Sequence, residues 1–337
     1  MNTWIIAAAV VAFAVTALSG LVLVPRLRKL KYGQTILDIG PKWHEKKQGT
    51  PTMGGIMFVL GITAAVVAAW PAMASSTGLA AQPDAAAVKA RVVYGMAMAL
   101  LFGLIGFLDD YIKVVKKQNM GLTARQKLVM QLAVSAAYII AMKTGGGLST
   151  IVDIPFLGQL SMGWFFYPFA VCIIITGTVN AVNLSDGLDG LASSLVFVAA
   201  LSFLIIGTML RLWGASLMAA ALAAGCIGFL VWNFYPAKVF MGDTGSLFLG
   251  GMLVAIAFAL GLPIFLVPVG IIFIIEVLSD IIQTTYFKLT HGKRIFKMAP
   301  IHHHFEMCGM SEVQIVVMFS IVGAAGGALG IWAASML

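Results

Sequence analysis

The sequence predicts an all-α polytopic membrane protein, a bundle of about ten transmembrane helices forming one integral membrane domain over residues 1–337. Three observations predict it. Hydrophobic residues make up 61% of the chain and charged residues only 10%, with a mean hydropathy of +0.99. Soluble chains carry about 25% charged residues, so most of this surface must face lipid. The apolar residues also fall in runs close to the roughly 20 residues that a helix needs to cross the hydrocarbon core. Finally, nearly all basic residues lie in alternate connections between those runs.

Reading between charges and turn residues places spans near 3–24, 53–72, 92–109, 127–142 and 164–182, then 191–209, 214–233, 244–260, 264–287 and 313–335. The first run has no basic residue ahead of it and reads as a retained span, because a secretory signal carries a positive n-region. Residues 191–210 are uncharged and closed by Arg211, and 92–108 are closed by Asp109-Asp110. The uncharged stretch 244–275 is too long for one crossing, and Gly261-Leu262-Pro263 offers the turn that divides it. The fourth span, between Lys127 and Lys143, is the weakest. The stretch 143–163, with Gly145-Gly146-Gly147 and Pro155, is long for an outer loop and is read as a small periplasmic hairpin.

Of the 21 Lys and Arg, only Lys89, Arg91, Lys143 and Arg211 fall in one set of connections. The other set holds the rest, including Lys31, Lys42, Lys46, Lys47, Lys113, Lys117 and Lys127. By the positive-inside rule that set is cytoplasmic and both termini are periplasmic. The net charge of +8 is thus a topology signal, with a cationic surface for headgroups and phosphates, and nucleic acid is not an expected partner. Cys172, Cys226 and Cys308 lie far apart and imply no disulfide framework. No internal repeat of the transporter kind is visible.

Five of the 13 carboxylates sit at predicted cytoplasmic ends of spans: Asp109, Asp110, Asp186, Asp189 and Asp243. Asp109-Asp110 is either an acid pair reaching for water or a pair of ligands for a divalent cation, which relieves their repulsion. Hard oxygen donors favour magnesium. Asn180, Asn183, Asp186 and Asp189, with two glycines, exceed what a single helix N-cap needs, so a binding segment is the preferred reading there. Asp243, within Met241–Ser246, reads equally as cap or ligand, and a helix start also attracts phosphate.

The triplet His302-His303-His304 admits a zinc site with Glu306 and Cys308. The preferred role is hydrogen bonding to phosphate with proton transfer, since adjacent side chains diverge. Glu276, Asp280 and Gln283, at i, i+4 and i+7, form one polar stripe inside the ninth span. Such a stripe suits a transport path or a cytoplasm-facing cleft in an enzyme, particularly in a span that bends.

Five segments carry a resemblance: Gly49-Thr-Pro-Thr-Met-Gly-Gly55, Phe107-Leu-Asp109-Asp110-Tyr-Ile-Lys113, Asn183-Leu-Ser-Asp186-Gly-Leu-Asp189-Gly-Leu-Ala192, Phe240-Met-Gly-Asp243-Thr-Gly-Ser246, and Ala299-Pro-Ile-His-His-His304-Phe-Glu306. In these the chain resembles the bacterial phospho-N-acetylmuramoyl-pentapeptide transferase family, within the polyprenyl-phosphate hexose-1-phosphate transferases. The aspartate motifs belong to the wider superfamily; the threonine-proline loop and the histidine triplet are more specific to this branch.

The resemblance implies a ten-helix protein of the bacterial inner membrane, usually a homodimer, with its active site on the cytoplasmic face. It implies transfer of phospho-MurNAc-pentapeptide from UDP-MurNAc-pentapeptide to undecaprenyl phosphate, giving lipid I and UMP. Mg2+ is then held by Asp243 with Asp109 and Asp110 beside it, these three and His302 being catalytic. Lys47, Lys113 and Lys127 contact phosphates. Asn180, Asn183, Asp186, Asp189, Asn233, Phe240 and Gln283 bind the nucleotide side, with Phe240 stacking on uracil. His302, His303 and His304 face the phosphates or sugar. Direct attack by the lipid phosphate with Asp109 as base is preferred to a phospho-enzyme on an aspartate. The rivals are a GlcNAc-1-phosphate transferase, a cation or drug transporter using Glu276 and Asp280, and a membrane metallohydrolase.

Overall fold

The structure, a computed structural model, describes residues 2–29, 47–77, 83–116, 120–155 and 157–337. Lys31, Lys42, Lys46 and Lys117, used above for orientation, lie outside the described residues. The order is α1 (Thr3–Lys29), α2 (Ile56–Ser76), α3 (Ala85–Lys116), α4 (Ala124–Thr144), β1 (Ile151–Ile154), β2 (Gly158–Ser161), α5 (Gly163–Leu184), α6 (Leu191–Met209) and α7 (Trp213–Asn233). Then come α8 (Gly242–Ala259), a 3-10 turn (Pro263–Phe265), α9 (Leu266–Val269), α10 (Ile271–Leu289), α11 (Ile301–Met307) and α12 (Glu312–Ala334).

Among the described residues, nine helices are long and apolar enough to cross a membrane. The pair Pro263–Val269 and Ile271–Leu289, bent by 78°, makes a tenth if counted as one span. The ninth span is therefore bent, at Gly270, ahead of the polar stripe, which lies on the unbroken helix Ile271–Leu289. Helix α3 runs well past the expected 92–109 at both ends, because helix-favouring residues continue beyond the apolar run into Ala85–Ala87 and Tyr111–Lys116. The fourth span is a full helix whose start is fixed by a capping box between Thr123 and Gln126, and Ser311 with Gln314 fixes α12 in the same way. The stretch 143–163 does form a hairpin, β1 pairing antiparallel with β2 from Ile151↔Ser161 to Ile154↔Gly158.

Helix α8 is the central element, buried along nearly its whole length, with α3 and α5 packed on it. Helices α1, α2, α6 and α7 pack together beside it, and α12 covers α6. Large apolar side chains such as Val10, Leu21, Val67, Phe165, Ile173 and Ile321 are exposed on the outside, where lipid is the solvent. The chain is thus a multi-pass membrane protein.

The polar stripe of α10 differs in one member from the expected Glu276–Asp280–Gln283. Glu276, Ser279 and Gln283 are buried, whereas Asp280 sits half-buried at the flank. On a helix, i+3 and i+4 fall on opposite sides of residue i, and here the i+3 side faces the protein.

Candidate active site

The site begins with a close approach of two helices. Gly106 on α3 lies against the first turn of α8, so near that a Cβ there would collide with the Asp243 carbonyl. The last turns of α3 therefore reach the N-terminus of α8, whose cap residue Met241 makes no side-chain bond. Asp110 supplies the missing acceptors. Its Oδ1 accepts from the Asp243 amide (3.2 Å), and its Oδ2 from the Thr244 amide (2.9 Å) and hydroxyl (2.7 Å). The free donors and positive end of α8 are thus satisfied by a carboxylate from another span. Gly242, at φ +69°, makes the turn into α8, where a Cβ would strike Asp110 and Thr52.

Asp243 is consequently not the cap of α8. Its Oδ2 accepts from Lys127 Nζ (2.7 Å) and Lys113 Nζ (3.1 Å), and its Oδ1 from Asn183 Nδ2 (2.7 Å). Asp109 pairs through Oδ2 with Lys113 (2.5 Å), while its Oδ1 accepts from the Leu122 amide (2.8 Å). Oxygens of Asp109, Asp110 and Asp243 lie within 4.8 Å of one another, the one such group able to hold a metal ion among the described residues. All three donors are hard carboxylate oxygens, which suits a divalent cation such as magnesium or calcium. With all five side chains ionised, two ammonium groups face three carboxylates, so the cluster keeps an uncompensated negative charge.

The segment 183–190 ties this cluster to a second one. Lys47 Nζ donates to Asp189 Oδ1 (2.7 Å) and Glu312 Oε2 (2.6 Å), and Glu312 Oε2 also accepts from the Asp189 amide (2.9 Å). Asp189 Oδ2 accepts from the Ala237 amide (2.8 Å). The threonine-proline loop is strapped to residues 240–241: the Phe240 amide donates to the Pro51 carbonyl, and the Gly54 and Gly55 amides to those of Phe240 and Met241. Helix α6 starts at Gly190 without any side-chain cap, so Asp186 and Asp189 are not its cap. Asp186, partly exposed between the two clusters, has its carboxyl held well above the ordinary range. Desolvation is the main cause, followed by the charges of Asp243, Asp110 and Asp189, with Lys47 opposing.

The histidines diverge, as expected of neighbours. His302 is fully buried with Nδ1 2.9 Å from Glu276 Oε2; His303 Nδ1 lies 2.7 Å from Glu306 Oε2; His304 Nδ1 accepts from the Lys297 amide (3.1 Å). Cys308 Sγ is 3.8 Å from His304 Nε2, and these residues do not gather into a metal-binding group.

The structure thus brings together Asp109, Asp110, Asp243, Lys113, Lys127 and Asn183, with Lys47 and Asp189 in the adjoining cluster. Several other residues expected at the site hold neighbouring protein groups in the structure. Asn180 pairs with Gln131 (2.7 Å), and Asn233 bridges the Gly190 amide (3.2 Å) and the Val239 carbonyl (3.0 Å). Gln283 fastens the backbone of Ile295 and Phe296. Phe240 is half-buried, held by its backbone. Glu312 and Thr244 escaped the sequence reading. Thr244 lay within a recognised motif, but Glu312 looks like an ordinary acid in a first helical turn, and nothing local ties it to Lys47.

Comparison with known proteins agrees with this geometry. Residues 92–261 match the model for glycosyl transferase family 4, and residues 47–59, which include Lys47 and the threonine-proline loop, match phospho-N-acetylmuramoyl-pentapeptide-transferase signature 1. The phospho-N-acetylmuramoyl-pentapeptide-transferase of Acetivibrio thermocellus is 44% identical over 314 residues, 92% of this chain and 89% of that one. The one from Bacillus thuringiensis is 45% identical over 323 residues, covering 96% and 95%. That of Desulforudis audaxviator is 42% identical over 337 residues, covering 97% of each chain. A carboxylate cluster joined by lysines from two helices, matching motifs and near-full-length identity together place the chain in the phospho-N-acetylmuramoyl-pentapeptide-transferase family.

Proposed function

We propose that the protein transfers phospho-MurNAc-pentapeptide from UDP-MurNAc-pentapeptide to undecaprenyl phosphate, giving lipid I and UMP, at the cytoplasmic face of the bacterial inner membrane. One observation supports this above the others: Asp110 and Asp243, 133 residues apart in sequence, meet with Asp109, Lys113 and Lys127 in one cluster. The positive-inside distribution of Lys and Arg supports the cytoplasmic placement with both termini outside. Family membership supports a homodimer.

The reaction exchanges one phosphoanhydride for another. An oxygen of the lipid phosphate bonds to the sugar-bearing phosphorus while the bond from that phosphorus to the bridging oxygen breaks, and UMP leaves with that oxygen. The difficulty is to bring two anions together. Asp243, with Asp109 and Asp110 beside it, would hold Mg2+, which would supply the positive charge that such a pyrophosphate needs. Lys113 and Lys127, now on Asp243, turn to the phosphates, as does Lys47 from its place on Asp189 and Glu312. Asp110 keeps the first turn of α8, and hence Asp243, in place. Asp109 takes the proton of a lipid phosphate that arrives protonated. Asn183, Asp186 and Asp189 receive the nucleotide side, with Phe240 against uracil, and His303 lies toward the sugar phosphate. Asn180, Asn233, Gln283 and His304, which also fix the segments around that side, complete the substrate-binding set.

The test uses purified protein with magnesium, a polyprenyl phosphate and either UDP-MurNAc-pentapeptide or UDP-GlcNAc. UMP and a lipid-linked sugar are expected from the first nucleotide. A preference for UDP-GlcNAc would move the protein to the related transferases, and free sugar phosphate with unmodified lipid would make it a hydrolase. A phosphorylated aspartate trapped from nucleotide alone would overturn direct attack.

A further inference from the structure

Glu276 and His302 form a pair whose geometry the transfer chemistry does not explain. Both side chains are completely enclosed, and His302 Nδ1 lies 2.9 Å from Glu276 Oε2. An acid inside a span is costly and persists where it has a partner and a use. Anchoring the histidine loop is not that use, because its backbone is already held by two other residues of the same helix face. Ser279 Oγ accepts from the Ile301 amide (3.0 Å), and Gln283 Oε1 from the amides of Ile295 (3.1 Å) and Phe296 (3.0 Å). Glu276 meets the imidazole alone.

The far side of the ring points at the site. His302 Nε2 is buried and has no hydrogen-bond partner. It lies against Gly187, where a Cβ would collide with it. Gly187 is the middle of the segment whose one end, Asn183, binds Asp243 and whose other end, Asp189, binds Lys47.

We infer that Glu276 is a positioning residue: it accepts the Nδ1 proton of His302 and so fixes Nε2 as the nitrogen presented to segment 183–190 and to the phosphate or sugar oxygen bound there. A histidine's free nitrogen is set by the bond its other nitrogen makes. The inference rests on the transferase reading above and gives the polar stripe of α10 a role in it.

The experiment compares Glu276→Gln, Glu276→Asp, His302→Gln and the double variant E276Q/H302Q in the UMP-release assay, each normalised to folded protein. Loss of the partner that orients a metal-bound imidazole costs roughly 10–100-fold, and a loss of the same order is expected for this one. E276Q is expected to lower kcat by about that much with KM for both substrates within about 3-fold, E276D to recover most of it, and E276Q to add less than about 2-fold on the H302Q background. A scaffold role would lower the folded yield and multiply with H302Q. Either that multiplication or an unchanged kcat in E276Q, with active parent enzyme, overturns the inference. An inactive parent enzyme sinks the transferase reading instead. The 15N spectrum of histidine-labelled parent protein needs no variant: Nδ1 of His302 should carry a proton, and an unprotonated Nδ1 overturns the inference.

Discussion

The two ends of this bundle are closed by different means. At the hairpin end the polar bonds among the described residues are few and mostly local: Gln159 donates to Asp153 six residues away, and the Ile151 amide to Ser149 Oγ. Arg91 adds one bond to the Gly146 carbonyl. At the opposite end, side chains 116, 134, 142 and 265 residues apart in sequence are bonded to one another. Backbone pairing suffices to close a loop in water. Charges collected at the end of an apolar bundle must be matched almost completely, because a half-satisfied polar network is worse than an apolar contact. The contrast teaches that the motif end is organised around charge, and the hairpin end around chain connection.

Charge removal at each end should break the symmetry most. Asp243→Asn takes away the carboxylate on which Lys113, Lys127 and Asn183 converge; turnover is expected to fall by about 1,000-fold or more, with the protein still inserted. Asp153→Asn in the hairpin should stay within about 2-fold. Equal activity of the two variants in UMP release would remove Asp243 from the chemistry. Next comes the helix approach that builds the cluster. Gly106→Ala pushes a methyl into the Asp243 backbone and should cost about 1–3 kcal/mol of stability and roughly 10-fold or more in rate. Gly177→Ala on α5, where a Cβ meets nothing within 4 Å, is the control and should leave the thermal unfolding midpoint unchanged. Third, Glu312→Gln removes a charge from Lys47 and weakens the hold on Asp189. KM for the nucleotide substrate should rise by about 3–10-fold with a smaller change in kcat; an unchanged KM would limit Glu312 to helix α12.

Most of the architecture was legible because lipid makes it so. Runs of apolar residues closed by charges gave each span, and Gly261-Leu262-Pro263 gave the division before the bent ninth span. The carboxylate cluster was legible as a set of residues rather than as an arrangement. Asp109, Asp110 and Asp243 stand at span ends, which one-dimensional spacing reveals. That Asp110 caps α8 while Asp243 is left for the lysines depends on the Gly106 approach, which no local pattern announces. Asp280 stands out in the sequence because charge is conspicuous in an apolar run, yet the packed side of α10 buries Ser279 and leaves Asp280 at the flank. Glu312 was missed for the opposite reason, since an acid in the first turn of a helix is common.

The smallest expected effect separates charge from fold. Asp186 stands between the two clusters with its carboxyl raised well above the usual value, by desolvation first and then by neighbouring carboxylates. A carboxyl raised in the folded state binds its proton more tightly there than in the unfolded chain. Below the unfolded value both states are protonated and the group is neutral toward stability. As pH rises through the window between the unfolded and folded values, the unfolded chain ionises first and stability falls. Asp186→Asn should therefore match the parent protein near pH 3–4 and exceed its unfolding midpoint by a few degrees at neutral and alkaline pH, measured without added divalent cation. Its affinity for the nucleotide substrate should drop even so. A variant less stable than the parent at neutral pH would show that Asp186 holds the fold together, and that repulsion around it is not the price of binding a cation and a pyrophosphate.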